Sequence, residues 1–146
     1  MTTNTAHAQW QGDLKDGKGE VSLGNGAFKG QYSFKSRFED GNGTNPEELV
    51  AAAHAACFSM AFSNELAKAG FTPTSIKTTA EVTLGKNDTG FAITQITLNT
   101  DGVVPGISEA KFHELGLAAK NGCPISKALA AVENITLNAT LQKEAA

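Results

Sequence analysis

A long, predominantly apolar helix is the feature that most constrains how this chain folds. Asn45 has the side chain of a helix N-cap, Pro46 suits the first helical position, and Gly70 offers a C-terminal stop. The roughly 24 residues between these signals are mostly strong helix formers, which predicts a helix about 36 Å long. The rest of the chain must supply the surfaces that cover it.

The middle of this helix is apolar on almost every side. Between residues 49 and 62 only His54 and Ser59 interrupt the apolar run. A helix that is apolar all round is buried all round, and one set of strands in a chain of 146 residues does not cover it completely. The pattern therefore points to a partner subunit.

Length and charge narrow the classes of function. At 146 residues with a net charge of −3, the chain fits a single domain spanning residues 1–146 and has no basic surface for nucleic acid or an anionic membrane. The longest apolar run, about 14 residues, is too short to span a bilayer. No signal peptide is visible, so we expect a cytoplasmic protein. In that reducing compartment two cysteines are either inert thiols or redox-active groups.

The remaining segments alternate between strand-like and helix-like patterns. Strands are predicted around residue 10 and at residues 19–23, 28–34, 75–84, 91–98 and 135–141, with a hairpin turn at 85–90 and a polar connection at 37–44. Helices are predicted at residues 108–120 and 123–132. With hairpins and no repeated βαβ unit, this order predicts class α+β, an antiparallel sheet packed on helices.

The two cysteines are the main candidates for chemistry. A lone cysteine is most simply a small buried hydrophobic residue. Cys123, however, precedes Pro124 and would occupy a helix N-cap, where free amides and the helix dipole stabilise a thiolate. Cys57 lies in the middle of the long helix, so any group that activates it must come from elsewhere in the structure.

Glu47 has no evident structural duty, whereas Glu48 occupies the capping-box position of the long helix. Glu47 precedes Cys57 by ten residues, about 15 Å along one helix, so it cannot touch that thiol within the same helix. If two copies of the helix pack antiparallel about an axis near position 52, Glu47 of one lies level with Cys57 of the other. The small residues at 51–53 permit that approach.

Two further residues have competing interpretations. Arg37 is the only arginine in the chain; it is either a solvated loop cation or a guanidinium that stabilises a thiolate and polarises an oxygen substrate. His54 lies one helical turn before Cys57 and is either a base for that thiol or a satisfied core histidine. The sequence has no C-x-x-C, H-x-x-x-H or carboxylate cluster, so it predicts no metal site.

Several long motifs carry a resemblance to a known family. They are Arg37-Phe-Glu, Gly43-Thr-Asn-Pro-Glu-Glu-Leu, Ala53-His-Ala-Ala-Cys-Phe-Ser-Met, Gly70-Phe-Thr-Pro-Thr and Gly122-Cys-Pro-Ile-Ser. Through essentially its whole length the chain resembles the OsmC/Ohr family, which comprises the osmotically inducible protein C and organic hydroperoxide resistance proteins.

The resemblance implies an antiparallel β-sheet wrapped around a long central helix in an intertwined homodimer. It further implies a cytoplasmic, dithiol-dependent peroxidase of the osmotic and oxidative stress responses that uses no cofactor. Cys57 corresponds to the peroxidatic cysteine and Cys123 to the resolving one; Arg37 and Glu47 correspond to the residues that activate the first thiol. Organic hydroperoxides are the expected substrates, ahead of hydrogen peroxide, and a dihydrolipoamide-type dithiol is the expected reductant.

Two alternatives follow from the residues alone. In the first, the chain is a ligand-binding or stress-structural dimer in which both cysteines are merely buried. In the second, Cys57 acts with His54 in a disulfide reductase or hydrolase. The first predicts that oxidants never link the cysteines, and the second predicts that loss of His54 abolishes activity while loss of Arg37 is tolerated.

Overall fold

The computed structural model describes residues 1–143. The chain divides into two compact units, Met1–Leu49 and Val50–Ala146. The prediction of a single domain over residues 1–146 stays a prediction, and its last three residues lie outside the described part. Among residues 1–143, none of the helices combines the length and apolar content that crossing a membrane requires.

The first unit contains a small antiparallel sheet in the order β1-β2-β3. Its strands are β1 (Ala6–Gln11), β2 (Lys18–Leu23) and β3 (Lys29–Tyr32). Trp10 and Tyr32 pack with their ring centroids 5.5 Å apart. Gly19 lies beneath them, and a Cβ there would come within 2.5 Å of the Tyr32 ring. The absence of a side chain at Gly19 therefore allows this aromatic contact.

A short helix, α1 (Phe34–Phe38), follows β3. The prediction that a strand continues to residue 34 and a loop begins at residue 37 is wrong. Ser33 is the N-cap of α1, and Ser33 and Ser36 form a reciprocal capping box. The Ser36 hydroxyl also donates to the Thr44 carbonyl at 2.7 Å. These local hydrogen bonds, which alternation of apolar residues does not reveal, turn the chain into a helix.

The long helix α2 (Pro46–Lys68) forms as predicted. The Asn45 side chain accepts from the Glu48 amide at 2.8 Å, which is an N-cap hydrogen bond. The Glu48 carboxylate accepts from the Thr44 hydroxyl at 2.8 Å. Glu48 therefore takes part in the hydrogen bonds that stabilise the start of α2. The carboxylate of Glu47 is not used there and can pair with another residue.

The second unit contains a sheet in the order β4-β5-β6 with two helices. Its elements are β4 (Ser75–Asn87), β5 (Gly90–Val103), α3 (Glu109–Gly122), α4 (Pro124–Ala128) and β6 (Asn134–Leu141). The predicted class α+β is confirmed. β4 and β5 pair antiparallel, but β6 pairs parallel to β5. The prediction of a purely antiparallel sheet is therefore wrong for β6. The helices α3 and α4 form a crossover between β5 and β6, and such a connection allows two strands of one sheet to run parallel.

The core of the second unit is built on one face of α2. His54, Phe58, Phe62 and Leu66 are buried at four-residue spacing, which places them in one stripe. The Phe62 ring packs on the Phe112 ring of α3 with centroids 4.9 Å apart. Ile96 and Leu98 of β5 belong to the same cluster. The stripe therefore sets the rotation of α2 about its own axis.

The opposite face of α2 is apolar but uncovered within one chain. Ala52, Ala53 and Ala56 are exposed, and Met60 is fully exposed at 75%. This exposed face agrees with the expectation that one chain alone does not cover α2 on all sides. An exposed contiguous apolar surface is typical of a protein–protein contact.

Two leucines on α3 provide a matched test of the core. Leu115 is buried and Leu117 is 51% exposed. We expect Leu115→Ala to lower the free energy of unfolding by about 2–5 kcal/mol, because a buried side chain is replaced by a cavity. Leu117→Ala should change it by no more than about 0.5 kcal/mol. Urea unfolding followed by circular dichroism measures both, and equal losses would contradict this assignment of the core.

Candidate active site

Cys57 and Cys123 meet in the second unit. Cys57 is half-buried on α2 and Cys123 is fully buried between α3 and α4. Both are free thiols, and the Cys123 thiol donates to the Cys57 sulfur with 2.8 Å between the two sulfurs. A disulfide has an S–S length of about 2.05 Å, so the two sulfurs need only a small approach to become bonded.

Cys123 is held by the junction of two helices. It is the C-cap of α3, its amide donates to the Ala119 carbonyl at 2.9 Å, and it is also the N-cap of α4. The predicted N-cap position is therefore correct. Its thiol makes no cap hydrogen bond, however, because it is directed at Cys57 instead. The backbone amide of Ile125, in α4, lies close enough to Cys57 to influence its ionisation.

The surroundings oppose ionisation of Cys57. Burial raises the pKa of the Cys57 thiol, and the adjacent Cys123 thiol raises it further. The Ile125 amide lowers the same pKa, since it favours a negative sulfur. The net direction is upward. The second unit by itself therefore disfavours the thiolate form of Cys57, which is the nucleophilic form.

A groove of about 670 Å³ opens beside Cys57. Its lining is largely apolar and includes Ala53, Met60, Ala118, Pro124 and Ile125. All of these side chains belong to the three helices α2, α3 and α4. The groove therefore offers an apolar approach to the Cys57 sulfur.

Arg37 and Glu47 meet in the first unit. The Arg37 Nε donates to Glu47 Oε2 at 3.1 Å, and one terminal nitrogen donates to Oε1 at 2.7 Å. The pair is thus bidentate, which fixes the plane of the guanidinium. The Arg37 side chain is 36% exposed and the Glu47 side chain only 11%. Arg37 is therefore an oriented cation on α1 rather than in a loop, although it remains exposed to solvent, and its role stays a prediction.

Aromatic side chains border the same guanidinium. The Arg37 guanidinium carbon lies 5.3 Å from the centre of the Phe38 ring. A pocket of about 230 Å³ beside it is lined by Trp10, Tyr32, Phe34 and Pro46 among others. Phe34 and Phe38 are close to Arg37 in sequence, whereas Trp10 and Tyr32 are distant in sequence and only the fold brings them here.

His54 does not serve Cys57. Its Nε2 lies 2.7 Å from the Ser126 hydroxyl, and its Nδ1 has no hydrogen-bond partner among the described residues. The ring is fully buried. The prediction of a core histidine is therefore correct, although only half of its hydrogen-bonding capacity is satisfied. Ser126 is the last residue of the Gly122-Cys-Pro-Ile-Ser motif, but nothing in that motif indicates that it pairs with His54.

No group of three or more potential metal ligands lies within the described part of the chain. The prediction that the protein uses no cofactor stays a prediction.

The fold and the paired thiols agree with the comparisons with known proteins. The family model described as OsmC-like protein matches residues 39–138. The chain is 55% identical over 136 residues to peroxiredoxin OsmC of Escherichia coli (strain K12), with 92% of this chain and 94% of that protein covered. The chain belongs to the OsmC family, as the motifs predicted.

Organic hydroperoxide resistance proteins are also among the relatives. An organic hydroperoxide resistance protein of Xanthomonas axonopodis pv. citri is 35% identical over 98 residues, covering 66% of this chain and 67% of that one. The crystal structure of an organic hydroperoxide resistance protein from Elizabethkingia anophelis superposes with a TM-score of 0.71 at 26% identity. It covers 98% of this chain and 99% of its own.

The buried histidine predicts a pH-dependent stability. Burial lowers the pKa of His54 from its ordinary value of 6.5. Below that pH the unfolded chain binds a proton that the folded chain does not, so the free energy of unfolding falls as the pH falls. We expect wild type to lose more stability than His54→Gln between about pH 7.5 and about pH 5.5. Urea unfolding at both pH values measures the difference, and equal losses would contradict it.

Proposed function

We propose that this protein reduces organic hydroperoxides, and hydrogen peroxide less readily, with Cys57 as the peroxidatic cysteine and Cys123 as the resolving cysteine. It acts as a homodimer in which Arg37 and Glu47 of one subunit activate Cys57 of the other. A small dithiol of the dihydrolipoamide type regenerates the thiols. The observation that carries the proposal is the 2.8 Å contact between the two cysteine sulfurs.

The names of the relatives support a peroxidase activity independently of the site geometry. The relatives are named peroxiredoxin and organic hydroperoxide resistance protein. These names confirm the prediction of a thiol-dependent peroxidase that acts on organic hydroperoxides. The roles of the individual residues rest on the geometry and on chemical reasoning.

The first step oxidises Cys57. Its thiolate attacks the distal oxygen of the hydroperoxide ROOH, the O–O bond breaks, and the leaving alkoxide takes a proton to become the alcohol ROH. Cys57 becomes a sulfenic acid. Because the sulfenic acid is already beside the Cys123 sulfur, it does not need to wait for a second thiol from solution.

The second step resolves that sulfenic acid. The Cys123 sulfur attacks the Cys57 sulfur, the S–OH bond breaks, and water leaves with the thiol proton. The product is the Cys57–Cys123 disulfide. A dithiol then reduces it by two successive exchange reactions and is itself oxidised to a cyclic disulfide. The thiols return to the reduced state without any metal or organic cofactor.

In the proposed dimer the activating cation comes from another subunit. Within the second unit burial raises the pKa of the Cys57 thiol, which opposes formation of the thiolate. A guanidinium beside the sulfur stabilises the thiolate and offers donors to the peroxide oxygens. Glu47 lies ten residues before Cys57 in α2, about 15 Å along the helix axis. The Arg37–Glu47 pair therefore serves the Cys57 of the partner subunit.

The exposed apolar face of α2 is the surface that brings two subunits together. Its small residues Ala52, Ala53 and Ala56 allow two helices to approach closely. If two copies of α2 cross antiparallel near position 52, Glu47 of one chain lies level with Cys57 of its partner. The dimer would then cover the apolar face and complete two equivalent sites.

The shape of the groove supports a preference for organic substrates. Its apolar lining, which the partner's α2 would border on the side of Ala53 and Met60, binds an alkyl or aryl group more favourably than the small, polar hydrogen peroxide. The dithiol reductant fits a reducing compartment, where free thiols persist. We therefore place the protein in the cytoplasm.

Cysteine variants test the two thiol roles. We expect wild type to consume cumene hydroperoxide continuously with dihydrolipoamide, and Cys57→Ser to consume none because the nucleophile is lost. Cys123→Ser should turn over once and accumulate a Cys57 sulfenic acid that dimedone traps. Peroxide consumption and mass spectrometry measure these outcomes. A Cys57→Ser protein that retains wild-type activity would contradict the proposal.

Mixed dimers test which subunit supplies the cation. We expect Arg37→Ala to lower kcat/KM by about a hundredfold or more, because the thiolate and the peroxide lose their donor. A heterodimer of Cys57→Ser, which is inactive alone, and Arg37→Ala, which is only weakly active alone, should recover activity. One of its two sites joins an intact Cys57 to the intact Arg37 of the partner.

The control is a heterodimer of Cys57→Ser and the double variant Cys57→Ser/Arg37→Ala, which has no peroxidatic cysteine and should stay inactive. If the Cys57→Ser and Arg37→Ala mixture also stays inactive although the chains have exchanged, Arg37 acts within its own subunit.

A further inference from the structure

A buried polar pair joins the two helices that carry the cysteines. His54 lies one turn before Cys57 on α2, and Ser126 lies three residues after Cys123 in α4. The His54 Nε2 and the Ser126 hydroxyl are 2.7 Å apart, and both side chains are buried. The thiol contact and this hydrogen bond therefore connect the same two helices at neighbouring points.

The pair is costly for the fold alone. His54 occupies a stripe whose other members are Phe58, Phe62 and Leu66, and its Nδ1 is buried without a partner among the described residues. A buried polar atom without a hydrogen bond destabilises the native state, and an apolar residue of similar volume avoids that cost. The structure thus keeps a histidine where packing alone favours leucine.

The helix α4 is short and only partly buried, so a polar link to α2 contributes to fixing its position. It spans only Pro124–Ala128, and Ser126 is its one buried residue. Ile125 and Leu129 are only partly buried against the core. The hydrogen bond between His54 and Ser126 therefore fixes the position of the side of α4 that faces α2. A directional polar contact specifies one relative position of two elements, whereas apolar packing tolerates sliding.

We propose that His54 and Ser126 are positioning residues that hold Cys123 against Cys57 for the step that forms the disulfide. This inference rests on the proposed function. Neither residue touches the peroxide, and the ring of His54 makes no hydrogen bond to a sulfur. Their role is to keep α4 in register with α2 after Cys57 has gained an oxygen.

The neutral ring is suited to this role. When Nε2 carries the proton, it donates to the Ser126 oxygen and Nδ1 is left as a lone pair, which avoids a buried N–H without an acceptor. The Ser126 hydroxyl remains free to donate elsewhere. Glutamine at position 54 reaches about as far as Nε2 and retains a donor, whereas leucine keeps the volume and removes the donor.

The experiment separates the two oxidation steps. Reduced wild type, Ser126→Ala, His54→Leu and His54→Gln are mixed with one equivalent of cumene hydroperoxide and quenched at increasing times. Mass spectrometry counts sulfenic acid, trapped with dimedone, and the Cys57–Cys123 disulfide. We expect Ser126→Ala and His54→Leu to form the sulfenic acid at the wild-type rate and the disulfide about tenfold more slowly. His54→Gln should stay within about threefold of wild type.

Two controls define the outcome. His113→Leu removes an exposed histidine of α3 that pairs with Glu109, and it should leave both rates unchanged. The double variant His54→Leu/Ser126→Ala should be no slower than the slower single variant, because both remove the same contact. If His54→Leu fails to fold, Ser126→Ala decides the question on its own.

Two results would overturn the inference: an unchanged rate of disulfide formation in Ser126→Ala, or equal slowing of both steps. Failure of the proposed function looks different, since wild type would then consume no peroxide. In that case the disulfide is formed with diamide instead, and the same ranking of the variants still tests whether the pair positions Cys123.

Discussion

The burial of one stripe of α2 is the constraint on which the site depends. Phe58 and Phe62 are packed into the core of the second unit, so the helix cannot rotate about its axis without exposing them. Cys57 adjoins that stripe in sequence, and the rotation therefore directs its sulfur at Cys123. The same rotation turns the alanine-rich face outward. Core packing thus decides both where the reactive sulfur points and which surface a partner covers.

The site combines two requirements that conflict within one chain. Fast disulfide formation needs Cys57 to be enclosed beside Cys123, but enclosure raises the pKa of the thiol that must ionise. In the proposed dimer the conflict is resolved by assembly. One chain encloses the sulfurs, while the bidentate pair of Arg37 and Glu47 that offsets the burial comes from the other. In that dimer activity depends on assembly, because each complete site takes its thiols from one chain and its cation from the other.

Much of the fold could be predicted because it is encoded locally. The α2 helix has its N-cap at Asn45, and the hairpin of β4 and β5 shows alternation on either side of a turn. Prediction failed where the secondary structure or the direction of a strand depends on an unusual hydrogen-bonding pattern or on contacts between residues that are distant in sequence. The helix α1 depends on a capping box made by two serines, and the direction of β6 depends on a crossover through two helices. The candidate cysteines, the arginine and the glutamate were singled out from the sequence and given roles by the family resemblance, whereas the pairing of His54 with Ser126 was not predicted.

The sequence by itself determined the length and apolar character of α2, the class of the fold, and the kind of chemistry two cysteines and one arginine can support. Those properties follow from short-range periodicity, helix caps and side-chain identity. Only the tertiary structure decided that the cysteine sulfurs meet across 66 residues and that Ser126 lies against His54. Such contacts depend on how separate helices pack together, and that packing minimises the exposed apolar surface of the whole unit. No local pattern contains that information.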